Sequence, residues 1–232
     1  MIDPNKNALL NSLPEATKKS LFSQLKIIKL PLGKVIYEAG QDLENVYFPI
    51  DSIVSLLNVL EDGASAEISV VGNEGLVGIA VFMGGESSIN RAVVQSAGQA
   101  YKLSASVLFD EFNDNQSVRE LLLRYTQALM AQMAQTAICN RHHSIDQQLC
   151  RWLLLSLDRL ASNNLTMTQE LIANMLGVRR EGVTEAAGKL QTLGVINYKR
   201  GQITVTNRQK LETLCCECYA VVKNETDRLE TY

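Results

Sequence analysis

The sequence predicts an α+β chain in two domains, a strand-rich N-terminal half of sandwich or jelly-roll type followed by a helical C-terminal half. Three observations carry this. All four prolines lie in the first 49 residues, and nine of the 14 glycines lie at or before Gly98. From Val118 to Leu176 there is neither Gly nor Pro. The first half also holds short β-prone runs between turn signals, whereas the second repeats its apolar residues at steps of three and four.

The strand signals come in order. Lys34-Val35-Ile36-Tyr37 is short and ends at Ala39-Gly40-Gln41-Asp42. Asn45–Pro49 and Ser52–Leu57 follow. Glu61-Asp62-Gly63 is a hairpin turn whose Asp-Gly step supplies positive φ, and Ala66–Val71 pairs back across it. Arg91–Gln95 and Gln99–Leu103 complete the set, at a spacing that suits a sandwich or jelly roll.

The helical half opens near Val118. Val118, Leu122, Tyr125, Leu129 and Met133 form one stripe that runs on into Thr136 and Asn140. Such a stripe packs either on its own domain or on a twin helix. A second helix, about Ile145 to Leu160, carries Leu149, Trp152, Leu153, Leu157 and Leu160 on one face. Between them, Ser144 is a helix cap, and His142-His143 point about 100° apart and chelate poorly.

The chain of 232 residues is 46% hydrophobic and 20% charged, enough apolar material for an ordinary core. No apolar run approaches the ~18–20 residues of a membrane helix, so no membrane partner is expected. The N-terminal segment lacks the pattern of a secretory signal. Five cysteines, three of them crowded at 215, 216 and 218, make a poor disulfide framework and suit a reducing cytoplasm. Cys215 and Cys218, three apart in an expected helix, lack a neighbouring His and form an incomplete zinc set, so no metal is expected. There is no phosphate loop, no Gly-x-Ser-x-Gly elbow and no His-Glu-x-x-His, so the chain does not read as an enzyme.

Charge is uneven. Residues 1–140 hold 10 Lys+Arg against 15 Asp+Glu, whereas residues 141–232 hold 12 against 10. Within 179–208 there are six basic residues and two acidic ones. A local basic patch in an acidic chain fits site-specific contact with phosphates better than bulk attraction to a polyanion.

That patch coincides with a motif. In Gln169–Gly188, Ala173 is small where two helices must approach, and Gly177 sits where the turn needs a left-handed backbone. Ile172, Leu176, Val178, Val183 and Ala186 fill the core positions of a helix-turn-helix, and Thr168 caps its first helix. Leu193-Gly194 ends the second helix. Two short strands then flank Lys199-Arg200-Gly201, a wing with a basic tip. A second helix of this kind presents its N-terminal side chains to base edges in the major groove. Here those are Arg180, Glu181, Thr184 and Glu185, with Arg179 beside them. Arg donates twice to guanine, and Glu accepts from cytosine.

With these pieces in order, the chain resembles the Crp/Fnr family of bacterial transcription factors over nearly its whole length. The most specific segment is Leu176–Val183, similar to the family's Gly-x-x-Arg-Glu-x-Val start of the reading helix. The resemblance implies a cyclic-nucleotide-binding-like jelly roll at 1–116, a dimerisation helix at 117–141 and a winged helix-turn-helix at 145–232. It implies double-stranded DNA as partner, read by Arg180 and Glu181, with Thr184 and Glu185 close by. Phosphates are expected at Thr168, Arg179, Lys199 and Arg200. It also implies a homodimer joined through Val118, Leu122, Tyr125, Leu129, Met133 and Thr136, and RNA polymerase as a further partner if the protein activates. Glu185 stands where the catabolite branch has another Arg, so the bound word differs from the best-known sites.

The family's nucleotide-binding members place a Glu on the ribose and an Arg on the cyclic phosphate. Alignment on Gly75 and Gly78 puts Leu76 at the Glu position, and alignment on Ala92 puts Asn90 at the Arg position, with Arg91 one residue late. A one-residue shift on a strand turns the side chain to the other face. Cyclic AMP control is therefore not expected. Glu74, Gly75 and Arg91 remain candidates to line an altered pocket for an unidentified small-molecule effector, and no bound cofactor is expected. No cysteine precedes Cys139, which argues against the family's N-terminal iron–sulfur cluster. The alternative in another class is a ligand-binding regulatory module that acts by protein contact and keeps a vestigial helix-turn-helix.

Overall fold

A computed structural model describes residues 3–85 and 87–230, the side chains of 229 and 230 apart, so the domain limits expected at 1 and 232 lie outside the described residues. Two short helices, α1 (Ala8–Asn11) and α2 (Glu15–Phe22), precede the strands. The strands are β1 (Lys26–Leu30), β2 (Val35–Tyr37), β3 (Asn45–Pro49), β4 (Ile53–Val59), β5 (Ser65–Val71), β6 (Arg91–Ser96) and β7 (Gly98–Ser104). They form two antiparallel sheets, ordered β1-β7-β3 and β2-β6-β4-β5. The hairpin forms as expected: Gly63 has φ +86° and β4 pairs β5 across it.

The inner faces of the two sheets share one core, which includes Phe48 and Leu103 from one sheet and Val54, Leu56 and Ala92 from the other. The four-stranded sheet is covered on its outer face as well. Ile53, Leu57 and Val70 belong to a second core built with the C-terminal helices. Burial on both faces explains why β4 carries adjacent apolar pairs, Ile53-Val54 and Leu56-Leu57, instead of alternating.

Helix α3 (Ala105–Asp114) leads into α4 (Gln116–His142), which is 27 residues long. Then come α5 (Ile145–Leu157), β8 (Asn164–Thr166), α6 (Gln169–Leu176), α7 (Arg180–Thr192), β9 (Ile196–Lys199), β10 (Gln202–Val205), α8 (Arg208–Leu214) and α9 (Cys218–Glu230). The expected cap is present. Ser144 and Gln147 exchange side-chain and backbone hydrogen bonds as a capping box.

One expectation needs correction. Val118, Leu122, Tyr125, Leu129 and Thr136 do not face a partner; they are buried within their own chain, and Met133 packs at the edge of the same core. The stripe of α4 lies on the β sandwich. Tyr125 donates its hydroxyl to the Leu76 carbonyl (2.8 Å), and Gln132 bonds both backbone groups of Val70 on the edge strand β5. Apolar periodicity marks the face a helix buries without saying against what. The outward face of α4 carries a different row. Leu123, Met130 and Ala137 recur every seven residues, with Gln127, Ala134 and Arg141 between or beyond them, all exposed.

Candidate nucleic-acid interface

Helices α6 and α7 meet through the turn that the sequence predicts. Gly177 takes φ +65° and closes α6 with its N–H on the Ala173 carbonyl. Thr168 caps α6 by accepting the Leu171 N–H (3.2 Å). Ile172, Leu176, Val183, Ala186 and Leu190 are buried together. A Cβ on Gly182 would stand 2.6 Å from Ile145 Cδ1, so this glycine lets α7 lie close on α5. The helix pair rests on the sandwich, since a Cβ on Gly177 would stand 3.2 Å from the Cβ of Ala66 in β5.

The first turns of α7 stay open. Arg179, Arg180, Glu181, Thr184 and Glu185 all reach the surface. They are not equivalent. Thr184 directs its one hydroxyl proton at Gln169 Oε1 and the Arg180 carbonyl, which ties α7 to α6. Glu185 pairs with Lys189 (3.0 Å), which also reaches Asp146 on α5. Among the described residues, Arg179, Arg180 and Glu181 make no side-chain hydrogen bond or ion pair. Of these, Arg180 and Glu181 lie in α7, and Arg179 is its N-cap.

The wing joins β8, β10 and β9 into one antiparallel sheet, with Lys199 paired to Gln202 across a two-residue turn. Both turn residues have positive φ, +53° at Arg200 and +78° at Gly201. This is the twist a tight hairpin needs. Gly adopts it without strain. Arg does so at a cost of ~1–2 kcal/mol. Among the described residues Arg200 is the non-glycine with positive φ. Tyr198 steadies the wing by donating its hydroxyl to the Met167 carbonyl (2.8 Å). Lys199 and Arg200 are exposed at the tip, and Thr168 lies at the same end of the domain, its methyl 3.8 Å from where a Cβ on Gly201 would stand.

Replacing Arg200 by Asn, which tolerates the left-handed region, should stabilise the fold by about 0.5–1 kcal/mol in a denaturant titration. An unchanged or lowered midpoint would show that the turn holds no strain.

The proposed effector residues are not brought together, which corrects that expectation. Glu74 turns away from the sandwich and accepts from Arg159 Nε (2.7 Å) just past α5, as well as from the Gly72 N–H. It lines a cleft with Asp158, Arg159 and Lys223. Arg91 pairs with Glu38 instead (3.1 Å). Gly75 serves packing. A Cβ there would stand 2.3 Å from the Tyr125 ring, so only Gly admits the aromatic ring that anchors α4. Leu76 is fully buried.

Sequence reasoning also missed a polar chain between the sheet and α5. Ser55 Oγ lies against two acceptors, Glu67 Oε2 and Gln95 Oε1 (2.9 Å), but has one proton. Gln95 Nε2 donates to Ser156 (2.9 Å), whose hydroxyl donates to the Trp152 carbonyl. These directions are satisfied when Glu67 is protonated and donates to Ser55. Burial agrees, pushing the Glu67 carboxyl up to about 7 against the Ser55 contact and the Arg151 and Arg159 charges, which favour the ionised form.

A second missed grouping lies at the end of α4. Cys139, His143, Cys216 and Cys218 bring their side-chain donor atoms within 4.8 Å of one another. The expectation of thiols without a nearby His is therefore corrected: His143, far away in sequence, meets Cys218, while Cys215 does not join the four. The local signals were a Cys139-x-x-x-His143 pair at the helix end and a Cys216-x-Cys218 pair; reading His142 with His143 and Cys215 with Cys218 passed over both.

Comparison with known proteins gives a consistent picture. Residues 27–115 match the model of the cyclic nucleotide-binding domain, and residues 147–214 match that of the Crp-like helix-turn-helix domain. The chain is 22% identical over 213 residues to a protein named global nitrogen regulator from Synechococcus elongatus, covering 88% of this chain and 95% of that one. Among solved structures, one of a putative transcriptional regulator of the Crp/Fnr family from Eubacterium rectale superposes with a TM-score of 0.71. It is 20% identical and covers 90% of this chain and 98% of that chain. FixK2 from Bradyrhizobium japonicum gives a TM-score of 0.69 at 20% identity, over 83% of this chain and 98% of that chain. These likenesses concern the fold. No helix among the described residues is long and apolar enough to cross a membrane.

Proposed function

Since this chain belongs to the Crp/Fnr family of transcriptional regulators and carries its helix-turn-helix DNA-binding domain, we propose that it binds an inverted-repeat site as a homodimer, without cyclic AMP. The observation that carries this is the exposed, uncommitted pair Arg180 and Glu181 at the start of α7, beside a wing tip that holds Arg200 in a strained conformation. Backbone strain at an exposed cation is retained where the side chain is used.

In this reading, Arg180 donates to guanine and Glu181 accepts from cytosine. Thr184 and Glu185 contribute second, because each is already engaged within the domain. Arg179, Lys199, Arg200 and Thr168 meet phosphates. Two reading helices about 34 Å apart enter successive major grooves. The twin contact runs along the outward row of α4, from Leu123 through Met130 to Ala137, since the inward stripe is occupied. A role for RNA polymerase depends on the site's position at a promoter. The cytoplasm is the compartment where such a protein meets DNA.

The separation of Glu74 from Arg91, with Leu76 buried between the sheets, supports independence from cyclic AMP. A small-molecule effector of another kind is not required by this reading.

Selection of sites from a random pool by the purified protein without effector tests the proposal. An enriched inverted repeat is expected. Arg180→Ala should weaken that site by about 1–3 kcal/mol and relax one base position in each half, whereas Lys199→Ala should lower affinity evenly and reduce the salt slope by about one. Failure to enrich any repeat, with the protein folded, would favour a module acting through protein contacts.

A further inference from the structure

We propose that Cys139, His143, Cys216 and Cys218 form a tetrahedral site for one thiophilic divalent cation, with zinc as the best fit, which clamps the end of α4 to the start of α9. The proposal does not depend on the DNA-binding reading.

The ligand set is complete. Three thiols and one imidazole make the Cys3His combination of a closed structural zinc site. Cys139 lies in the last turn of α4, and His143, four positions on, is the C-cap residue, its N–H on the Cys139 carbonyl. Cys216 and Cys218 come from the turn into α9. All three cysteines are buried, and their donor atoms lie with that of His143 within 4.8 Å of one another. Cys139 Sγ and Cys216 Sγ are 3.7 Å apart, and Cys218 Sγ is 3.4 Å from His143 Nδ1. Metal–sulfur bonds of about 2.3 Å in a tetrahedron place sulfurs about 3.8 Å apart. The spacing thus fits a single ion and is too tight for a multi-iron cluster.

The surroundings fit as well. His143 Nε2 lies 3.5 Å from Glu217 Oε1, so the outer nitrogen has a carboxylate partner that leaves Nδ1 to face inward. Carboxylate–imidazole–metal relays of this form orient ligating histidines. Gln135 Nε2 donates to Cys218 Sγ (3.1 Å).

Charge points the same way. Arg151 is 4% exposed, yet among the described residues it has no ion pair; one nitrogen bonds Thr136 and its Nε has no partner. A buried guanidinium is costly unless anions lie near it. The buried Glu67 acts on it electrostatically, and a divalent ion with three thiolates would add one negative charge.

The test is metal binding by the full chain, prepared anaerobically and reduced. Titration with Co2+ should give sulfur-to-cobalt charge transfer and the intense visible bands of tetrahedral cobalt, saturating at one ion per chain, with Zn2+ bleaching both. Cys216→Ser and His143→Ala should each abolish or distort the spectrum, whereas Cys215→Ser should leave it intact. Glu217→Gln keeps all four ligands and the fold, and should weaken Zn2+ binding about 10–100-fold. Several results would overturn the site: no cobalt spectrum from folded reduced protein, an unchanged spectrum in Cys216→Ser, unchanged Zn2+ affinity in Glu217→Gln, iron and sulfide in the purified protein, or a Cys139–Cys216 disulfide whose reduction restores no metal binding.

Discussion

Arg159→Met is expected to destabilise the folded chain by about 3–5 kcal/mol. Arg159 and Glu74 form a buried ion pair, with side chains 5% and 13% exposed. Arg159 also donates to the Leu155 carbonyl at the end of α5, and a Cβ on Gly72 would stand 2.6 Å from its side chain. Deleting the guanidinium leaves Glu74 buried with only the Gly72 N–H. The double variant Arg159→Met with Glu74→Gln removes both charges and should recover much of the loss. A double-mutant cycle in denaturant reads the coupling directly. If the single variant loses less than about 1 kcal/mol, or the two losses simply add, the pair does not hold the sandwich to the C-terminal half.

Stability should also fall as pH rises, and Glu67 is the reason. Its folded carboxyl titrates at about 7, above the usual value of 4.5, because burial penalises the charged form. Below pH 4.5 both folded and unfolded chains hold this proton, so it costs nothing. Between 4.5 and 7 the unfolded chain releases the proton while the folded chain retains it, so stability drops. Above about 7 the penalty is constant, and a difference of this size corresponds to about 3 kcal/mol. Glu67→Gln keeps a donor toward Ser55 without the charge. It should therefore gain about 2–3 kcal/mol over the parent at about pH 8 and little at about pH 4.5. An equal gap between the two proteins at both values would mean that Glu67 does not carry the dependence.

Local chemistry was legible in the sequence, and long-range placement was not. The helix-turn-helix could be read because each requirement sits within about twenty residues: Ala173 for the close approach, Gly177 for the left-handed turn, Thr168 for the cap. The β4–β5 hairpin was legible for the same reason. Strand β1 was passed over, because Lys26–Leu30 carries two lysines in a short run and lies at a sheet edge. The apolar stripe of α4 is legible from its period, but its neighbour is not. Burial against β5 and the Gly75 loop is a contact between segments far apart in sequence, and helical period carries no information about it. Glu74 and Arg91 were grouped by a family pattern, but β6 and the loop after β5 point them at different partners. The Cys3His grouping joins residues 77 apart, and only the tertiary fold aligns its two short pairs.

Ile53, Leu57 and Val70 from the sandwich sit in the same core as Trp152, Ile172 and Val183. The two halves that the sequence separates so cleanly are thus not interchangeable modules. Cut out and fused to another N-terminal domain, the segment from 145 onward would expose the apolar footprint these strands cover, together with an unpartnered Arg159, and would tend to self-associate. Exchange of N-terminal domains between such regulators would have to carry the outer face of β4 and β5 along with the helix-turn-helix.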